Sequence, residues 1–206
     1  MDYKQIIKNK KFLISLIIII VILIGVILFS VIKHYNLDNV RFEREYEKLN
    51  NKMTSDGREY PFVDVPSDNV IRYSSYEELV KIIDNKDDAV IYLGNNACLY
   101  CRTVVQVLLD VSSNTEIDKI YYIDVRNESS KVGKIVEVIG DKIIGNNKNL
   151  ELPLVLFIVD GRVVSFKIGT FVSHKDPYKK LNDTQLSALT NVYMTGINDV
   201  IAGMQN

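Results

Sequence analysis

The pattern of apolar and polar positions changes character twice in the first third of the chain. Phe12 to Ile32 is a run of 21 residues without a charge, interrupted only by Ser15, Gly25 and Ser30. At about 1.5 Å per residue it makes a helix of roughly 31 Å, matching a hydrocarbon core of about 30 Å, and it predicts a membrane span. From Asn36 to Met53 charge dominates, and Leu37, Val40, Tyr46, Leu49 and Met53 recur at roughly helical spacing. Gly57, Pro61 and Pro66 break any regular element beyond it. This stretch predicts a solvated spacer helix, with a partner-binding helix as the other reading.

From about residue 68 a regular alternation begins. Val70 to Tyr73 predicts a short strand, and Ser75 followed three places later by Glu78 opens a helix through Ile83. Ala89 to Leu93 reads as a buried strand, and an apolar-periodic helix follows from Arg102 to about Val111. Ile120 to Val125 is a second buried strand. Ser129 or Ser130 caps a helix that runs to Ile139 and ends at Gly140. Pro153 then opens Leu154 to Val159, Asp160-Gly161 signals a hairpin, and Arg162 to Ile168 returns. Leu181 to Ile201 supplies a last amphipathic helix, with Asp183 as its candidate cap. The order β-α-β-α-β-α-β-β-α predicts an α/β domain: a mixed central sheet, parallel first and antiparallel at one edge, with helices on both faces.

The chain thus divides into a tail and transmembrane anchor at 1–33, a stalk at 34–66 and an α/β domain at 67–206. A cleaved signal peptide would have a shorter apolar region and a small-residue cleavage site, and Phe29-Ser30-Val31-Ile32-Lys33 has no such pattern. Lys4, Lys8, Lys10 and Lys11 precede the span and Lys33 follows it, which predicts a cytoplasmic N-terminus and an extracytoplasmic domain. Removing the five basic residues and the one acidic residue of the first 33 leaves residues 34–206 with a net charge of about −5, which argues against nucleic acid as a partner. The high Lys, Asn and Ile usage without Trp suggests a bacterial, AT-rich source.

The chain has two cysteines, Cys98 and Cys101, placed where a strand hands over to a helix. A thiolate at a helix N-terminus is stabilised by unpaired backbone N–H groups and the positive end of the helix dipole. It can attack a disulfide, and a second thiol one turn later resolves the mixed disulfide. The competing readings are half of a zinc site, with only His34 and His174 to complete it, or a structural bridge closing a two-residue loop. A c-type haem site would need His where Arg102 stands.

The element order with this C-x-x-C resembles the thioredoxin family over about residues 68–202. The resemblance is carried by Cys98 and Cys101, the strand Val90-Ile91-Tyr92-Leu93, Ile123-Asp124, Leu152-Pro153-Leu154-Val155-Leu156-Phe157, Asp160-Gly161 and Gly169. It implies a cis-proline at Pro153 beside the dithiol, with the Leu152 backbone left to pair with an extended substrate. Ala97 stands where those proteins usually have Trp, Leu99-Tyr100 where they have Gly-Pro, and Tyr92 where they have a buried proton-shuttling Asp. Gly94 to Arg102 is similar to the C-P-x-C-R sites of bacteriocin-transport accessory-type and other membrane-anchored bacterial thioredoxin-like proteins. Two stretches exceed the family core, Asp141 to Leu150 and Ser173 to Asn182.

The resulting expectation is a membrane-anchored extracytoplasmic thiol–disulfide oxidoreductase acting through Cys98 and Cys101. Leu152 and Pro153 would contact substrate, and an exposed Tyr100 would contact substrate or tune the thiol environment. Cysteine-containing proteins outside the cytoplasm and a membrane electron carrier are the implied partners, and neither cofactor nor metal is implied. Arg102 is expected to point to solvent or pair locally, His174 to lie in a solvated loop and His34 to sit at the membrane exit. The alternative is a thioredoxin-fold adaptor or export accessory protein whose dithiol is vestigial or structural.

Overall fold

The computed structural model describes residues 14–29, 37–140 and 150–205. Residues 14–29 form a helix, α1, whose apolar side chains are exposed. The rest of the predicted span, residues 12–13 and 30–32, lies outside the described residues, as do His34 and residues 141–149 of the first long stretch. Among the described residues no helix is long and apolar enough to cross a membrane.

The order that follows is α2 (Asp38–Glu47), β1 (Ile71–Tyr73), α3 (Tyr76–Asp84), β2 (Ala89–Gly94), α4 (Leu99–Ser112) and β3 (Ile120–Asp124). A short 3-10 turn (Ser129–Lys131), α5 (Val132–Ile139), β4 (Leu154–Val159), β5 (Arg162–Ile168) and α6 (Asp183–Met204) complete it. The five strands lie in the order β1-β3-β2-β4-β5. β3 is parallel to both β1 and β2, β4 is antiparallel to β2, and β5 is antiparallel to β4. This is the mixed sheet, parallel then antiparallel, that the alternation and the thioredoxin resemblance imply.

Each face of the sheet carries its own core. Successive side chains of a strand point to opposite faces, so Val90 and Tyr92 of β2 join one core while Ala89, Ile91 and Leu93 join the other. The first core lies under α2, α4 and α6, and the second lies under α3 and α5. Every residue of β2 is buried, which explains its unbroken apolar run.

Several local signals behave as predicted. The Ser75 side chain accepts the Glu78 N–H at the start of α3, and Gly140 ends α5 at φ +83°. Asp160 and Gly161 both have positive φ in the β4–β5 turn, as a tight hairpin twisted like its strands requires. A Cβ at Gly161 would also lie 2.4 Å from the Ile83 carbonyl oxygen.

Three expectations need correction. Ser129 and Ser130 lie in the 3-10 turn rather than capping α5, which starts at Val132 without a side-chain cap. The cap of α6 is Asn182, not Asp183; its side chain accepts the Gln185 N–H, while Gln185 Oε1 accepts the Asn182 N–H. The largest correction concerns the stalk. Phe42 and Tyr46 of α2 are fully buried in the first core together with Val63 and Val65, so this segment is part of the folded body and not a solvated spacer. Its i, i+4 aromatic pair sits with ring centroids 4.4 Å apart, and the Phe42 ring meets that of Tyr122 edge-on at 4.9 Å.

Candidate dithiol site

The loop between β2 and α4 is built by asparagine. Asn95 Oδ1 accepts the backbone N–H groups of Ala97 (3.0 Å) and Cys98 (2.9 Å), the local bond by which Asn folds a turn onto its own backbone. The Asn96 side chain donates to the Glu45 carbonyl, joining the loop to α2. Cys98 is thereby held as the N-cap of α4, with extended backbone angles and its Sγ accepting the Cys101 N–H at 3.2 Å. Both cysteines are free thiols; Cys98 is half-buried and Cys101 fully buried.

Their environments pull them apart. The hydrogen bond shared with Cys101, reinforced by the Cys101 and Tyr100 N–H groups, holds the Cys98 thiol below its ordinary value against the opposing effect of burial. Burial pushes Cys101 well above its ordinary range, and the hydrogen bond with Cys98 adds to this.

Leu152-Pro153, with a cis peptide bond between them, precedes β4. The Leu93–Leu154 pairing of β2 with β4 sets this dipeptide beside Gly94, at the sheet end from which the cysteine loop departs. Leu152 and Tyr100 line one open groove of about 590 Å³, with Lys167, Thr170, Phe171 and His174 among its other walls. The structure therefore gathers the site residues read from the sequence at one end of the sheet.

Tyr100 is not the free, exposed ring expected. It is half-buried, and its hydroxyl donates to the backbone carbonyls of His174 (3.2 Å) and Lys175 (3.0 Å). Nor is His174 solvated. It is buried, with Nδ1 2.9 Å from Thr170 Oγ1 and Nε2 2.7 Å from the Lys179 carbonyl. A carbonyl can only accept, so Nε2 carries a proton and the histidine braces the second long stretch from inside.

Arg102 is the clearest reversal. It is fully buried, and its guanidinium donates to the carbonyls of Pro61 (2.6 Å), Tyr46 (2.8 Å) and Asn96 (3.2 Å) and to Asn50 Oδ1 (2.6 Å). The fork fastens α2 and the loop after it to the helix that carries the cysteines.

Sequence reasoning also missed the hydroxyls behind Cys101. Tyr92 Oη lies 2.9 Å from Tyr46 Oη and donates to the Cys101 carbonyl at 3.4 Å. A Cβ at position 94 would lie 2.6 Å from the Tyr92 hydroxyl, so glycine is what leaves room for it. The available signal was a tyrosine in a run otherwise made of aliphatic residues.

No protein-family model matches this chain, and no curated protein matches it. Among solved structures, thioredoxin O1 from Arabidopsis thaliana in its oxidized state is similar at 20% identity and a TM-score of 0.38, over 51% of this chain and 90% of that one. Thioredoxin O2 from the same plant, also oxidized, is similar at 19% identity and a TM-score of 0.38, over 60% of this chain and 94% of that one. What fold and site define together is a mixed α/β domain presenting a dithiol, one thiol accessible and one buried, at the start of a helix.

Proposed function

We propose that this chain is a thiol–disulfide oxidoreductase, anchored by its N-terminal apolar helix with the domain outside the cytoplasm. The supporting observation is the pairing of a half-buried Cys98, its sulfur accepting the Cys101 N–H at 3.2 Å, with a fully buried Cys101 behind it. In the reducing direction, the Cys98 thiolate attacks a substrate disulfide; a mixed disulfide forms and one substrate thiolate leaves. Cys101 then attacks Cys98 Sγ, and the second substrate thiolate departs. The protein ends with a Cys98–Cys101 disulfide and the substrate with two thiols, and the oxidising direction is the reverse. Leu152, Pro153 and the groove beside Tyr100 would seat the substrate chain, which is a cysteine-containing protein outside the cytoplasm. A membrane electron carrier would restore the dithiol.

The anchoring is supported by the uncharged helix at residues 14–29, with its side chains exposed, and by the lysines that precede it. Protease treatment of intact cells, after wall removal where there is a wall, should cleave the domain; protection until lysis would overturn this placement.

The activity is tested by insulin reduction with a dithiol reductant. Cys98→Ser should abolish turnover, and Cys101→Ser should accumulate a mixed disulfide. Wild-type protein that neither turns over nor forms such an adduct would leave the second reading, an adaptor with an idle dithiol. That reading is favoured by one observation: the side chain behind Cys101 is a tyrosine hydroxyl rather than a carboxylate.

A further inference from the structure

If Cys101 resolves the mixed disulfide, it has to become a thiolate inside the core. Its burial opposes this, so the ionised sulfur needs a hydrogen-bond donor in place of water. We propose that the Tyr92 hydroxyl, held by Tyr46, is the side-chain donor that stabilises the Cys101 thiolate as it attacks Cys98. This inference rests on the oxidoreductase reading above.

The side chains of Tyr46 and Tyr92 are completely buried, and their hydroxyls are 2.9 Å apart. With the Tyr46 proton directed at Tyr92, the Tyr92 proton is free to point at the first turn of α4. Its partner there is the Cys101 carbonyl, at a long 3.4 Å, and a carbonyl inside a helix already serves the helix ladder. A weakly engaged donor thus sits over the residue whose sulfur must carry charge, and a bond to a charged acceptor is about twice as strong as a neutral one.

The surroundings agree. Burial raises the Cys101 thiol, and the Asn95 backbone and then the Tyr92 hydroxyl pull it back down by hydrogen bonding. Burial also keeps Tyr46, Tyr92 and Tyr122 protonated well above the ordinary phenol range, so they remain donors. From α6, the Tyr193 hydroxyl is buried without a hydrogen-bond partner and feels the Cys101 charge. Cys98 faces Cys101 from the same helix, and the Arg102 guanidinium lies beyond, on the Tyr46 carbonyl. Tyr92 donates a hydrogen bond and keeps its proton. As the Cys98–Cys101 bond forms and the bond from Cys98 to substrate breaks, the electron pair goes to the departing sulfur. The proton from Cys101 passes to that thiolate or to water at the Cys98 opening.

The test uses the full chain and dithiobis(nitrobenzoate). The first coloured thiolate reports attack by Cys98, and the second reports resolution by Cys101. Tyr92→Phe should leave the first phase within about twofold of wild type, slow the second about tenfold, and move its pH midpoint upward by about one unit. Tyr46→Phe, which leaves Tyr92 in place without its supporting hydroxyl, should slow the second phase about threefold. A second phase unchanged in rate and pH midpoint in folded Tyr92→Phe would overturn the inference while leaving the oxidoreductase reading intact. If Tyr92→Phe does not fold, an unchanged second phase in Tyr46→Phe overturns it equally. A wild-type protein with no second phase would sink the oxidoreductase reading, and this inference with it.

Discussion

Arg102 Nη1 donates to the carbonyl of Tyr46 at 2.8 Å, tying the residue after the second cysteine to a helix 56 positions earlier in the chain. The same guanidinium reaches Asn96, two residues before Cys98, so one buried side chain joins α2, the cysteine loop and α4.

Arg102→Ala should therefore leave the Pro61 and Asn96 carbonyls without a donor, while the Tyr46 carbonyl keeps the Leu49 N–H and Asn50 Oδ1 keeps the Val63 N–H. Each group left unpaired costs about 1–3 kcal/mol, so the loss should reach at least about 2 kcal/mol. Arg102→Lys should recover little of it, because a single ammonium cannot span four separated acceptors. Denaturant titration of the reduced proteins measures both.

Phe42→Ala tests whether α2 belongs to the folded body. Removing a fully buried aromatic ring from a packed core costs about 3–5 kcal/mol, whereas the same change on a solvated spacer would cost almost nothing. The denaturation midpoint should fall accordingly, with no change in the redox state of the thiols.

The two thiols should differ in reactivity. With the Cys98 pKa held below its ordinary value and that of Cys101 raised, a limiting amount of iodoacetamide should label Cys98 of the reduced protein first and continue to do so toward neutral pH. Equal labelling rates with the ordinary thiol profile, resolved by peptide mapping, would contradict the placement of Cys98 at the start of α4.

Alkaline solution should destabilise the reduced fold. Burial raises the folded-state pKa values of Tyr46, Tyr92 and Tyr122 well above the ordinary phenol value of about 10. The folded protein therefore binds more protons than the unfolded chain at high pH. Their contribution is fully present below about pH 10 and is lost as the pH rises further. The last tyrosinate absorbance to appear should coincide with the loss of far-ultraviolet circular dichroism; ionisation of all twelve tyrosines in a protein still folded would show that these hydroxyls reach solvent.

The order of strands and helices was legible because each element carries its own signal: the run of β2, the Ser75 cap, the Asp160-Gly161 turn. The cysteine loop was legible because a thiol pair at a strand–helix junction has few other uses. The burial of α2 was not, because Phe42 and Tyr46 are two aromatic positions in a charged stretch, and their partner Tyr122 lies 76 or more residues away. Arg102 reads as a surface charge in any local pattern. Its burial depends on carbonyls from three separate segments, which no spacing rule brings together. Tyr92 reads as part of a buried strand and as an absent carboxylate, and nothing local reveals that Tyr46 meets its hydroxyl.

The position of α2 bears on how the chain assembles. Its contacts span long separations: Tyr46 with Tyr92, Arg102 with Tyr46, and, in the following loop, Asp56 with Tyr178. During synthesis Phe42 and Tyr46 emerge well before the strands and helices that cover them. Contacts this distant in sequence form slowly, because the chain between them must be ordered first. The nascent chain therefore carries an uncovered aromatic pair until late in folding, and that interval is when it is open to chaperones or to misassembly with its own copies.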